Sequence, residues 1–167
     1  MVRVLVGVWY DWAMNKVIYE TQSLLLEVPE RPFVSREEGG HIRIMSKIKV
    51  SDRTKLTKEQ AIEYTRLSMI AGEALKAGLA KRGIEVGIVN YQEMGNWSVF
   101  KPEGPIMHMH IFGRAKSATI QKYGEAVQLP RRETGFYDGF MPLDEQDILE
   151  VESAIKRLAE SPKYSAF

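Results

Sequence analysis

The sequence predicts an α+β fold, an antiparallel sheet carrying one long helix with a second helix near the C-terminus. Three observations predict it. Short alternating, β-branched stretches recur through residues 2–48 and 84–112. A single uninterrupted helical period spans Thr57 to Lys81. No strand–helix alternation of the kind that builds a parallel sheet is present.

In chain order, Val2–Trp9 alternates, and it reads as a first strand rather than a signal peptide. Asp11 and Asn15 mark a turn, and Val17–Val28 reads as the antiparallel partner, ended by Pro29 and Pro32. After the charged loop Ser35–Gly40, His41–Ile48 alternates again as a third strand. Thr57, with Gln60 three residues on, is a capping-box signature for the long helix. Ile62, Leu67, Met69, Ile70, Ala74, Leu75 and Leu79 form its apolar positions. Lys76, Lys81, Arg82 and Gly83 supply a basic last turn and a stop. Ile84–Tyr91 is a further strand, followed by a polar loop from Gln92 to Ser98. Asp144 caps a second helix with Ile148, Leu149, Val151, Ile155 and Leu158 as its stripe, ended by Ser161-Pro162. Residues 116–133 have no clear period, and Arg131-Arg132 reads as a solvated loop. The chain therefore divides into a core over residues 1–114 and an extension over 115–167, packed on the same domain.

Composition limits the function. The chain has 167 residues, a net charge of +1, 44% hydrophobic residues and 27% charged ones. Nothing in that balance attracts nucleic acid or an anionic membrane, and no run reaches the ~18 apolar residues of a membrane span. There are no cysteines, so disulfides, Cys-type zinc sites and thiol nucleophiles are excluded, and a cytoplasmic location is the expectation.

Chemistry concentrates in Gly104-Pro105-Ile106-Met107-His108-Met109-His110-Ile111-Phe112-Gly113-Arg114, which holds two of the three histidines. In a strand, residues two apart share a face at a spacing of roughly 6.6 Å. His108 and His110 then lie side by side, with Met107, Met109 and Ile111 opposite. Such a pair could be structural, could bind a metal with His41 as third nitrogen ligand, could bind a ligand without turnover, or could act in nucleophilic catalysis. In the last case one imidazole attacks phosphorus and the other protonates the leaving group. Asn90, Gln92, Asn96, Ser98 and Lys101 offer donors for phosphate, and Trp97 offers a face on which a base could stack.

This strand resembles the histidine triad (HIT) superfamily, whose last sheet strand carries His-φ-His-φ-His-φ-φ and then Pro or Gly and Arg. Gly40-His41 opening a strand, Lys47, the long helix, and Val89-Asn90-Tyr91-Gln92 before a glycine are also similar to that family. The likeness covers roughly residues 17–114. Aligning Ile111-Phe112-Gly113-Arg114 makes His108 the middle, nucleophilic histidine and His110 the third, with Ile106 in place of the first. The other register makes His110 the nucleophile and puts Phe112 where the phosphorylase and transferase branches carry Gln. The tail match favours the first.

The resemblance implies a homodimeric nucleotide hydrolase or nucleotidyl transferase, acting at the α-phosphate of a nucleoside polyphosphate or phosphoramidate through a nucleotidyl-His108 intermediate. The backbone carbonyl of Ile106 would orient His108. Glu27 would take a ribose hydroxyl, and His41 would bridge toward the substrate site. No protein-bound cofactor or metal is required, and Mg would arrive only with a polyphosphate substrate. A weak or inactive nucleotide-binding protein and a histidine-based metal-binding protein are the alternatives.

Overall fold

A computed structural model describes residues 15–93, 98–102 and 104–166, and these residues form five strands and three helices. The strands are β1 (Lys16–Glu20), β2 (Leu24–Val28), β3 (His41–Ser46), β4 (Val86–Glu93) and β5 (His108–Ala115). The helices are α1 (Lys58–Lys81), α2 (Glu145–Ala159) and the single turn α3 (Pro162–Ser165). The strands form one antiparallel sheet in the order β1-β2-β3-β5-β4. The expected α+β architecture, sheet plus long helix, is the one observed.

Several boundaries differ from the sequence reading. The strand expected at Val2–Trp9 lies outside the described residues. Val17–Val28 is not one strand but a hairpin, reversing at Thr21-Gln22-Ser23. The reversal is local chemistry, since Thr21 N–H donates to the Leu24 carbonyl (3.0 Å) and Leu24 N–H to the Thr21 hydroxyl (3.2 Å). β3 stops at Ser46 rather than Ile48, β4 runs on through Gln92 and Glu93, and β5 begins at His108 and reaches Ala115.

Alternation divides the two faces. Leu24, Leu26, Ile42, Ile44, Met109 and Ile111 point to one side and meet Leu67, Ile70, Ala74, Leu75 and Leu79 of α1. Each leucine, isoleucine or methionine among them, fully buried, contributes about 1.5–3 kcal/mol. The capping box at Thr57 and Gln60 forms as the sequence indicates. Ile62, however, is 41% exposed, and Tyr64 is buried instead. Likewise Leu149 of α2 is 55% exposed, while Ala154 is buried. α2 lies across α1 at Gly78, where an added Cβ would fall 2.7 Å from Val151. Only a glycine admits that approach.

The other face of the sheet carries His41, Arg43 and Met45 of β3 with His108, His110 and Phe112 of β5, as the register requires. A second, aromatic cluster covers part of it, Phe33, Val34, Phe112 and Tyr137, with Phe136 and Phe140 packed alongside. The chain after β5 is therefore not peripheral. Arg114 is buried and donates to the carbonyls of Gln121, Lys122 and Glu125 and to Asn90 Oδ1. The buried Glu38 carboxylate accepts the amides of Thr119, Ile120 and Gln121. Arg114 thus meets neither phosphate nor a surface carboxylate; it braces the loop that returns over the sheet.

One buried carboxylate ties α2 to both layers. Asp147 is fully buried; Arg36 donates to it from Nε (2.6 Å) and a terminal nitrogen (2.9 Å), and Arg82 donates from Nε (3.2 Å). Burial pushes this carboxyl up, and the hydrogen bonds from Arg36, the Asp144 amide and Arg82, with the charge of Arg36, together outweigh that and hold it below its ordinary value. Removing one partner of such a group leaves the others buried and unpaired. Asp147→Ala is expected to cost about 3–5 kcal/mol of unfolding free energy, measured by urea denaturation.

Candidate functional site

The site is built on three strands. Gln92, His110, Arg43 and Glu27 form one cross-strand row, and Asn90, Phe112 and His41 the next. Paired residues of an antiparallel sheet share a face, so these side chains lie together. His41 is brought against β5 by Gly39-Gly40. The Gly40 carbonyl accepts Gly113 N–H (3.0 Å), and a Cβ on Gly113 would lie 2.0 Å from the Gly39 carbonyl oxygen. Gly39 itself has φ of +122°, which L side chains rarely adopt.

The hydrogen bonds assign a tautomer to every ring. Phe33 N–H donates to His41 Nδ1 (3.1 Å), so that nitrogen carries no proton. The neutral His41 ring therefore holds its proton on Nε2, which donates to His110 Nδ1 (2.8 Å). His110 in turn keeps its own proton on Nε2. His108 is arranged the opposite way, donating from Nδ1 to the Ile106 carbonyl (2.8 Å) and leaving Nε2 with a lone pair. The His108 and His110 rings are 4.8 Å apart between centroids, so the face presents one nitrogen lone pair next to one N–H donor.

Burial enforces neutrality. It pushes His41 and His110 well below the ordinary histidine value, and neighbouring rings and arginines add to it. His108 is also lowered, by burial first, against the opposing pull of the Ile106 carbonyl. With both nitrogens of His41, Nδ1 of His110 and Nδ1 of His108 engaged, two histidine nitrogens, Nε2 of His108 and Nε2 of His110, are left without a partner among the described residues. Among the described residues, no group of three or more His, Cys, Asp or Glu is placed to hold a metal ion.

The other residues singled out by sequence fare unevenly. Gln92 lies beside His110, and its Oε1 is buried with no hydrogen-bond partner among the described residues. Asn90 accepts from Arg114 (3.1 Å). Ser98 is buried, Lys101 is exposed, and Asn96 and Trp97 lie outside the described residues. Glu27 is only 2% exposed; Arg43 Nε (2.7 Å) and Asn15 Nδ2 (3.2 Å) donate to it. It is the counterion of Arg43 rather than an open acceptor for a ribose. His41, equally buried, has both ring nitrogens engaged, Nδ1 by the Phe33 amide and Nε2 by His110.

Three residues escaped the sequence reading. Arg43 was legible, because alternation along β3 puts it on the face of His41. Phe33 acts through its backbone amide, and its ring lies 5.6 Å from that of His41 and 5.4 Å from that of His110. Arg132, expected in a solvated loop, places its guanidinium 4.4 Å from the centre of the Phe33 ring. Nothing in the local sequence pairs residue 132 with residue 33.

No family model and no curated protein sequence matches the chain. Solved structures do. A hypothetical histidine triad nucleotide-binding protein of Sulfolobus tokodaii superposes with a TM-score of 0.55 at 13% identity, over 87% of this chain and 86% of that one. A Hit-like protein of Bartonella henselae gives 0.56 at 11% identity, over 84% and 86%. A uridylyltransferase gives 0.51 at 15% identity, over 84% of this chain and 41% of its own. The chain has the histidine-triad fold, with Ile106 two residues before the first of its two strand histidines.

The buried neutral histidines have a consequence for stability. Unfolding returns each ring to its ordinary value near 6.5, so below that value the unfolded chain binds more protons than the folded one. Stability is fully present above 6.5 and falls as pH drops through that value toward the depressed folded ones. The melting temperature is expected to decline between pH 7 and pH 5, and less steeply in a His41→Phe/His110→Phe variant.

Proposed function

We propose that this chain is a nucleotide hydrolase or nucleotidyl transferase that attacks the α-phosphorus of a nucleoside phosphate derivative with His108. The observation that carries the reading is the opposed arrangement of the two strand histidines, a lone pair on His108 Nε2 beside an N–H on His110 Nε2. In the first step the Nε2 lone pair forms a nitrogen–phosphorus bond. The bond to the leaving group breaks, and its electron pair departs with that group. His110 Nε2–H donates a hydrogen bond to the charge that develops there. In the second step water, or another acceptor, attacks phosphorus, the bond to His108 breaks, and the lone pair returns to the ring. The acceptor's proton passes to solvent.

The fold of nucleotide-binding histidine triad proteins and of a uridylyltransferase supports this reading. So does Gln92, whose buried Oε1 has no partner among the described residues, lies one strand away from His110 and suits a donor group of a bound ligand. Ile106 keeps the one feature the first triad position must supply here, a carbonyl for the His108 ring. The absence of an imidazole at that position favours a second reading, a nucleotide-binding protein with slow turnover.

Incubation with diadenosine polyphosphates and adenosine phosphoramidates, with products resolved by chromatography, separates the two. His108→Ala is expected to lower kcat by at least about 10³-fold. Intact-mass measurement at alkaline pH should find a nucleotidyl adduct in the parent chain and none in the variant. Unchanged turnover in the variant would exclude His108 as nucleophile. Ligand-dependent melting without turnover would support the binding protein.

A further inference from the structure

Gln121 lies in the loop that returns over the sheet, beyond the residues that resemble the histidine triad family, and it is fully buried. Each of its hydrogen-bonding groups is engaged. The backbone N–H donates to Glu38 Oε2 (2.7 Å), and the carbonyl accepts from Arg114 (3.0 Å). In the side chain, Oε1 accepts Gln128 N–H (2.9 Å), while Nε2 donates to the carbonyls of Gln128 (2.9 Å) and Phe33 (3.2 Å). Two carbonyls face one end of the amide and an N–H faces the other, which fixes the nitrogen toward Phe33. Of these bonds, the one to Phe33 leads to the histidines.

Phe33 needs such a hold. Residues 29–35 belong to neither helix nor strand, so the direction of its backbone depends on what takes its own polar groups. His41 Nδ1 takes the N–H (3.1 Å), and Gln121 takes the carbonyl. The contacts of Phe33 with Phe112 and Tyr137 bear on the ring and not on the amide.

The aim of that amide matters because the His41–His110 pair has two neutral arrangements. In the observed one, His41 Nε2–H donates to His110 Nδ1 (2.8 Å), and His110 keeps its proton on Nε2. In the other, His41 carries its proton on Nδ1, its Nε2 accepts from His110 Nδ1–H, and His110 Nε2 is left with a lone pair. The Phe33 N–H separates the two. It donates to His41 Nδ1 in the first, and in the second it would meet another N–H in a buried position, a costly opposition. His108 is held by the Ile106 carbonyl in both. The second arrangement would therefore present two lone pairs on the face and no histidine donor.

We propose that Gln121 is a positioning residue of this site: by holding the Phe33 carbonyl it aims the Phe33 N–H at His41, and so keeps an N–H outward on His110 Nε2. The loop after β5 thereby sets the proton inventory of the histidine face through three hydrogen bonds in series, Gln121 to Phe33, Phe33 to His41, and His41 to His110. The catalytic consequence, though not the proton placement, rests on the function proposed above.

The test is Gln121→Met, read by nitrogen-15 NMR of the histidine rings and by turnover of diadenosine polyphosphates, both well below the melting temperature. Gln128 is exposed, so water can take the backbone groups that the variant releases there, and the chain is expected to fold. The ring spectra should show a new population with His41 and His110 protonated on Nδ1, and an unchanged His108. Because the His110 donor acts on charge that develops in the transition state, kcat should fall about 10-fold or more with KM within about 3-fold of the parent value. A merely structural glutamine would lower the melting temperature and leave the ring spectra as they are. Ring spectra identical to those of the parent chain would overturn the inference. Altered spectra with unchanged kcat would uphold Gln121 as the residue that places the protons and overturn the role of His110 in the proposed reaction. Should the parent chain turn over nothing, the proposed function fails, and the ring spectra alone decide Gln121. If Gln121→Met does not fold, Gln121→Glu carries the decision, since it keeps an acceptor for Gln128 N–H and removes the donor to Phe33.

Discussion

A single backbone amide sets the chemistry of this face. Phe33 N–H takes the only acceptor position on His41, and from there each proton is fixed in turn, His41 Nε2 to His110 Nδ1, and His110 Nε2 to the open site. Without that amide the two buried rings could exchange protons and present either a donor or an acceptor. Because charged imidazoles are costly in this buried setting, the neutral arrangement is the stable one. The Ile106 carbonyl does the complementary job for His108. A side chain two residues away is thus dispensable for orientation, because the backbone provides the acceptor.

Much of the fold serves to hold Phe33 in place. Its carbonyl accepts Gln121 Nε2 (3.2 Å), and Gln121 is itself fully buried and locked to Gln128 by bonds in both directions, each 2.9 Å. Arg114 and Glu38 clamp the same returning loop from opposite polarities, a guanidinium on carbonyls and a carboxylate on amides. Tyr137 and Arg132 then cover the outer side of the Phe33 ring. The segment after β5 therefore contributes to the wall of the site and to its electrostatics, while α2, tied by Asp147 to Arg36 and Arg82, fixes the ends of that segment against the core.

The sequence was most informative where one periodicity controls the outcome. The α1 boundaries follow from Thr57, Gln60 and Gly83, and the two faces of β5 follow from alternation through Met107–Phe112. It was misleading where a tertiary contact outweighs the local pattern. Ile62 and Leu149 fit apolar stripes yet face solvent, since the helices meet at glycine and alanine positions instead. The family resemblance assigned Glu27 to a ribose hydroxyl, but its side chain is buried. Its burial is made tolerable by Arg43, a partner on the adjacent strand that only the register reveals. Arg132 and Phe33 are separated by about a hundred residues, and no local signal connects them.

The account depends on where three protons sit, and nitrogen-15 NMR of the histidine rings at neutral pH reads that directly. The expected spectrum has three neutral rings, His41 and His110 protonated on Nε2 and His108 protonated on Nδ1. A His108 ring protonated on Nε2, or an imidazolium at His110, would contradict the assignment of nucleophile and hydrogen-bond donor on which the proposed chemistry stands.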